Sequence, residues 1–187
     1  MARIYTRTGD DGTTGRIGGS RVSKDTPYIE ACGSLDELNA LIGFVRSYSL
    51  PDRIDTILQV VQDKLFTIGA EIATPEGKDR ASQGLGDEDI RALEQEIDSF
   101  EQNLQPLKKF ILPGGSIQAS ALHLVRAVAR RAERHCVGLS RIEKVDPCVL
   151  RYLNRISDLC FVMARYANLL QSIPESHPTF GRNRAGS

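Results

Sequence analysis

Neither sign of charge dominates this 187-residue chain: Lys plus Arg and Asp plus Glu number 24 each. That balance gives no reason to expect nucleic acid or an anionic membrane as partner. No run approaches the ~20 apolar residues that a bilayer span needs. The N-terminus shows neither an apolar h-region nor a long basic leader, so no targeting segment is expected. Cysteine is sparse and scattered. Cys32, Cys136, Cys148 and Cys160 never fall into CxxC spacing, which argues against a disulfide framework or zinc site and favours a reducing, cytoplasmic setting. Hydrolytic signatures are missing as well: there is no Gly-x-Ser-x-Gly, and His123, His135 and His177 are the only histidines. The Glu-x-x-His pairs of a di-iron bundle are absent. No stretch alternates long enough to found a sheet, and Arg3-Ile4-Tyr5-Thr6 is too short to do so. Neither an internal repeat nor a second domain is visible.

What is present is helical periodicity. Hydrophobic residues make up 41%, enough for one soluble domain with a substantial core. Ser34-Leu35-Asp36-Glu37 has the spacing of a capping box, and the following Leu38, Leu41, Ile42 and Val45 predict a helix to about residue 47. Pro51 suits the first turn of a second helix. There Ile54, Ile57, Leu58, Val61, Leu65, Ile68 and Ile72 form the clearest apolar stripe of the chain. Residues 74–86 are polar and rich in Gly, a linker. A third helix starts near Asp87, carries Ile90, Leu93, Ile97, Phe100 and Leu104, and ends at Pro106. Ser116 and Asp146-Pro147 read as the caps of a fourth and a fifth helix, running to about 139 and 171. The fold class is therefore all-α: a five-helix bundle with an N-terminal Gly-rich functional loop. The organisation is one domain over 1–187, comprising a loop at 1–25, the bundle at 26–171 and a loose tail at 172–187.

Two stretches carry more polarity than a bundle requires. Residues 6–25 place Gly at 9, 12, 15, 18 and 19, hydroxyls at 6, 8, 13, 14, 20 and 23, and cations at 7, 16, 21 and 24. Glycines turn backbone N–H groups around an anion, while hydroxyls, Arg and Lys add donors and charge. This reads as a polyphosphate cradle, though no Walker-type Gly-Lys-Ser/Thr is present; a frayed terminus without ligand is the plainer reading. On the fourth helix His123, Arg126, Arg130 and Glu133 share a stripe opposite Ile117, Ala121, Leu124, Val125 and Val128. Arg131, Arg134 and His135 broaden that stripe, and Asn154 and Asp158 of the next helix could lie alongside. A solvated face with weak i,i+3 and i,i+4 pairs is the plainer reading here. The apolar connection Phe110-Ile111-Leu112-Pro113-Gly114-Gly115 is unusual for a loop.

Taken together, Thr6 to Gly15, Arg21 to Asp25, Gly33 to Asn39, Phe110 to Gly115, Arg126 to Arg134 and Leu150 to Asp158 resemble, in order, the blocks of ATP:cob(I)alamin (corrinoid) adenosyltransferases of the propanediol-utilisation type. The resemblance implies an enzyme that transfers the 5′-deoxyadenosyl group of ATP to the cobalt of cob(I)alamin, releasing triphosphate and forming adenosylcobalamin. It further implies Mg²⁺, a homotrimer and ATP sites at subunit interfaces. By motif, Thr6, Arg7, Thr8, Gly9, Thr14, Gly15 and Lys24 would line the phosphates. Arg130, Glu133, Arg134 and Asn154 would complete the nucleotide site from a neighbouring chain. Asp36 and Arg126 would pair between subunits near the corrinoid, and Phe110 would close the lower corrin face. An electron-donor flavoprotein and an adenosylcobalamin-dependent acceptor enzyme are the protein partners that fit this chemistry. Ser20, where Glu is frequent, and Cys32, where an aromatic is frequent, depart from the family pattern. The alternative to an enzyme is a non-catalytic, ATP-binding regulatory bundle.

Overall fold

The computed structural model describes residues 4–17, 19–74 and 84–179. Most of the expected linker (75–83), Gly18 of the cradle, Arg3 and the last eight residues of the tail lie outside the described residues.

Five helices follow a short hairpin of strands β1 (Thr13–Gly15) and β2 (Arg21–Ser23): α1 Pro27–Arg46, α2 Asp52–Ala73, α3 Asp87–Glu101, α4 Ile117–Leu139 and α5 Pro147–Leu170. α1 packs on α2 and α4, α4 on α5, and α5 on α3. The centre of the bundle is the α4–α5 pair, where Ala119, Ala129, Ala132 and Cys136 face a helix bearing Cys160, Ala164 and Ala167, all buried. Small side chains there let two helix axes approach closely while larger ones fill the flanks. Along α2 the predicted stripe is the observed core face: Ile54, Leu58, Val61, Leu65, Ile68 and Ile72 are buried and Ile57 partly so. Ser116 and Asp146 do cap α4 and α5, accepting from the N–H groups of Ala119 and Cys148.

Several expectations are corrected. α1 begins at Pro27, not at Ser34. Pro27 occupies the first turn, where a missing N–H costs nothing. Ser34 is instead mid-helix, its hydroxyl donating back to the Glu30 carbonyl at 2.7 Å and meeting the His135 ring. Strands do occur, in the cradle itself, where Thr13 pairs with Ser23, Thr14 with Val22 and Gly15 with Arg21. Periodicity could not reveal strands of three residues. On α4 the stripe is rotated: His123 is buried while Ile117 and Leu124 are exposed. α3 ends at Glu101, five residues before Pro106. The chain after α5 is not loose at its start, because residues 175–177 bond to the loop that carries Phe110.

Candidate functional site

The N-terminal loop is closed on itself by its own side chains. Gly12 and Gly19 take positive φ (82° and 95°), turning the chain just before β1 and in the connection to β2 as only glycine does without strain. Lys24 donates Nζ to the Gly9 carbonyl at 2.8 Å and its backbone N–H to Gly12 at 2.9 Å. Gly9 leaves room for that ammonium: a Cβ there would stand 3.3 Å from Nζ and 3.0 Å from the Thr13 carbonyl. Arg21 reaches the Thr8 carbonyl and the Thr13 hydroxyl. Asp11 accepts from both the hydroxyl and the N–H of Thr13 (2.7 and 3.0 Å), which lowers its carboxyl pKa. Thr6 and Thr8 share a 2.9 Å hydroxyl contact, and Arg7 between them has a left-handed φ of 60°. Thr6, Arg7, Thr8, Gly9, Thr14, Gly15 and Lys24 thus form one compact unit, and most of its donors face solvent.

One clamp ties this unit to the bundle. Arg16 makes a two-pronged pair with Glu143 (2.7 and 3.0 Å), just past the end of α4, and lies 3.8 Å from the centroid of the buried Tyr28 ring. The carboxylate raises the arginine pKa further, while burial raises those of Tyr28 and Cys32 beside it. Arg16 was visible in sequence only as one cation among several; its partner lies 127 positions away. Beneath the hairpin, Gly15, Ile17, Tyr28, Cys32, Asp36 and Phe66 contribute to a cavity of about 500 Å³ between the hairpin, α1 and α2.

A second group forms on α4 and α5. Asn154 donates to Glu133 at 3.0 Å and accepts from Arg155 at 2.7 Å, while Arg155 also holds Glu94. One turn apart, Arg130 and Arg134 are exposed, and Arg134 donates to the Arg130 carbonyl. Asp158 pairs with Arg155 at 3.5 Å and Ser157 is buried. Arg126 is half-buried with its Nε lacking a protein partner. Next to it His123 is only 4% exposed, and burial pushes its pKa down to about 4, with Arg126 acting in the same direction.

Phe110 stands on the α3–α4 loop with its side chain 76% exposed. The loop itself is firmly held. Gly115 has a φ of 108°, and a Cβ there would lie 2.3–2.6 Å from the Asn168 amide. That buried amide accepts from the Ser116 N–H and donates to the Gly114 carbonyl, both at 2.9 Å.

These three groups do not meet within one chain. The hairpin is clamped beyond the C-terminal end of α4, whereas the Phe110 loop enters its N-terminal end. Twenty-three helical residues separate the two ends, roughly 33 Å at the usual rise. No hydrogen bond or ion pair among the described residues joins the hairpin to Arg126, Arg130, Glu133, Arg134 or Asn154, and Asp36 makes none with Arg126. No three His, Cys, Asp or Glu side chains among the described residues converge as a metal site, and no described helix is long and apolar enough to cross a membrane.

The profile of the cobalamin adenosyltransferase family matches residues 4–167. The chain is 42% identical over 166 residues to a corrinoid adenosyltransferase of Citrobacter freundii, covering 88% of this chain and 94% of that protein. It is 43% identical over 163 residues to the corrinoid adenosyltransferase PduO of Salmonella typhimurium, covering 87% of this chain but 48% of that longer protein. Among solved structures it is similar to a phenylalanine-to-alanine variant of the PduO-type ATP:corrinoid adenosyltransferase from Lactobacillus reuteri, complexed with cobalamin and ATP. That similarity has a TM-score of 0.89 at 40% identity and covers 97% of this chain and all of that one.

Proposed function

The chain belongs to the cobalamin adenosyltransferase family, and on that premise we propose how its residues share the work of moving an adenosyl group from ATP to cobalamin. The reaction is nucleophilic displacement at carbon. The cobalt of cob(I)alamin attacks the 5′ carbon of ATP; the cobalt–carbon bond forms as the carbon–oxygen bond breaks, and the electron pair leaves on inorganic triphosphate. Because the nucleophile arrives with the substrate, the protein need supply no general base. Its tasks are alignment of two large reactants and stabilisation of charge on the departing triphosphate.

The hairpin suits the second task. Thr6, Arg7, Thr8, Gly9, Thr14, Gly15 and Lys24 line the triphosphate, with Lys24 exchanging the Gly9 carbonyl for phosphate oxygen. Mg²⁺, where bound with the nucleotide, would neutralise part of the triphosphate charge beside the hairpin's Thr and Lys24 donors. Arg130, Glu133, Arg134 and Asn154 hold the rest of the nucleotide. Asp36 and Arg126 pair across the subunit boundary, and Phe110 covers the lower corrin face, excluding water and the displaced axial base. The hairpin and the Phe110 loop lie at opposite ends of α4, so a site using both draws them from two chains, which supports a homotrimer with three interfacial sites. The chain acts as one adenosyltransferase domain, and its four unpaired cysteines support a cytoplasmic location. A flavoprotein electron donor and an adenosylcobalamin-dependent acceptor complete the partners.

One observation carries this reading: a self-closed hairpin of glycine, hydroxyl and lysine donors, in a fold whose solved relative holds ATP and cobalamin together. Anaerobic optical spectroscopy with cob(II)alamin, MgATP and then a strong reductant tests it. An ATP-dependent four-coordinate Co(II) band followed by the adenosylcobalamin spectrum is expected. ATP binding with no change in the corrinoid spectrum would favour the regulatory bundle instead.

A further inference from the structure

The chain after α5 turns back on the Phe110 loop. Gln171 caps the helix, Ser172 takes a φ of 54°, and the Ile173 N–H bonds the Asn168 carbonyl at 2.9 Å. This is a Schellman-type ending with serine at the left-handed position. It sends residues 173–177 alongside the loop before α4. There the Leu112 N–H donates to the Ser176 carbonyl at 2.7 Å, and the His177 ring lies 2.9 Å by Nδ1 from the Phe110 carbonyl. Since a carbonyl only accepts, Nδ1 carries the proton. Arg165 locks the arrangement from below. It is 5% exposed, donates Nε to the Glu175 carboxylate at 2.5 Å and a terminal nitrogen to the Gln105 carbonyl at 2.7 Å. One buried guanidinium thus joins α5, the tail and the start of the loop.

We infer that residues 173–177 are a strap that positions Phe110 for the corrinoid, with Arg165 as its clasp and Glu175 and His177 as positioning residues. The inference rests on the role given to Phe110 above. A large apolar ring presented 76% exposed on a loop is useful to a ligand when its backbone is already ordered, because ordering on binding subtracts from affinity. The strap bonds to Phe110 and Leu112 through the backbone and leaves the Phe110 ring facing outward. The clasp is specific: removing Glu175 strands a buried cation, which a buried arginine tolerates badly. Among the described residues the strap's bonds run to α5 and the Phe110 loop and none runs to the hairpin of the same chain, so its effect is expected on the corrinoid side of the site.

The test measures hydrogen exchange at the Leu112 amide and the steady-state constants for both substrates in Glu175→Ala, His177→Ala and Phe110→Ala, singly and as the Glu175→Ala/Phe110→Ala pair. Leu112 should exchange about tenfold faster in Glu175→Ala, the equivalent of losing one hydrogen-bonded lock. The KM for corrinoid should rise about fivefold or more with that for ATP unchanged, and the double variant should be little worse than Phe110→Ala alone. His177→Ala, at the surface, repeats the exchange and KM measurements without leaving a buried charge. Unchanged Leu112 exchange in both strap variants would overturn the strap. Faster exchange with normal corrinoid kinetics, while Phe110→Ala is impaired, would overturn its positioning role and leave that of Phe110 intact. A fully active Phe110→Ala enzyme would sink both readings.

Discussion

At the scale of single residues, exposure separates the groups proposed to meet ligands from those that hold the fold. Arg130 and Phe110 are both exposed, and their expected phenotypes differ. Arg130→Ala should raise the Kd for ATP about tenfold by removing a charge-assisted contact; an unchanged Kd from calorimetry would take it out of the site. Phe110→Ala should bind ATP within about twofold of the parent yet convert cob(II)alamin at least about tenfold more slowly, which an anaerobic turnover assay reads directly. His123 shows the opposite case. Burial lowers its pKa from 6.5 to about 4, so the unfolded chain takes up a proton at a higher pH than the folded one. Stability is therefore fully present above pH 6.5 and falls as the pH drops toward 4, by on the order of 3 kcal/mol across the window. Denaturant melts of His123→Phe should show a shallower loss between pH 7 and 4.5 than the parent; parallel profiles would mean that His123 is not the group responsible.

At the scale of elements, two connections do unusual work. The hairpin gains its place through the Arg16–Glu143 pair and the Tyr28 ring, contacts to the bundle that a free terminus lacks. The loop before α4 depends on Gly115, where a positive φ and the Asn168 amide both exclude a side chain. Gly115→Ala should cost about 2 kcal/mol through backbone strain and displaced Asn168 hydrogen bonds. Thermal melting checks this; a change within about 0.5 kcal/mol, the range of an ordinary surface substitution, would show that the loop relaxes freely. The periodic faces of α2 and α3 and the caps of α4 and α5 were legible because i,i+3 and i,i+4 spacing and capping side chains are written within a few adjacent residues. The start of α1 was not: Ser34 has a capping spacing, but Pro27 upstream and the burial of Tyr28 and Ala31 carry the helix through it.

At the scale of the whole molecule, one chain holds the parts of the proposed site apart. The hairpin and the Phe110 loop are anchored at opposite ends of α4, so the proposed site needs a second copy. Mixing Lys24→Ala with Arg130→Ala chains during refolding tests this. At ATP well below the parental Kd each variant alone should keep about a tenth of parental activity or less, whereas random trimers should regain about a quarter, since one interface in four pairs an intact hairpin with an intact arginine stripe. No recovery, with trimers formed, would mean that both residues serve the same chain's site.

Local sequence determined that there are five helices, the caps of α4 and α5, the donor-rich character of residues 6–25 and the set of blocks that marks the family, because each is a short-range pattern. Tertiary structure decided which side of α4 is buried, taking His123 inward and leaving Leu124 outside. It also paired residues 13–15 with 21–23 in a hairpin clamped by Glu143, and it drew residues 173–177 back against Phe110. Those outcomes depend on pairs such as Arg16 with Glu143 and His177 with Phe110, separated by 127 and 67 positions. Contacts of that range exist only once the helices have packed, so no window of adjacent residues contains them.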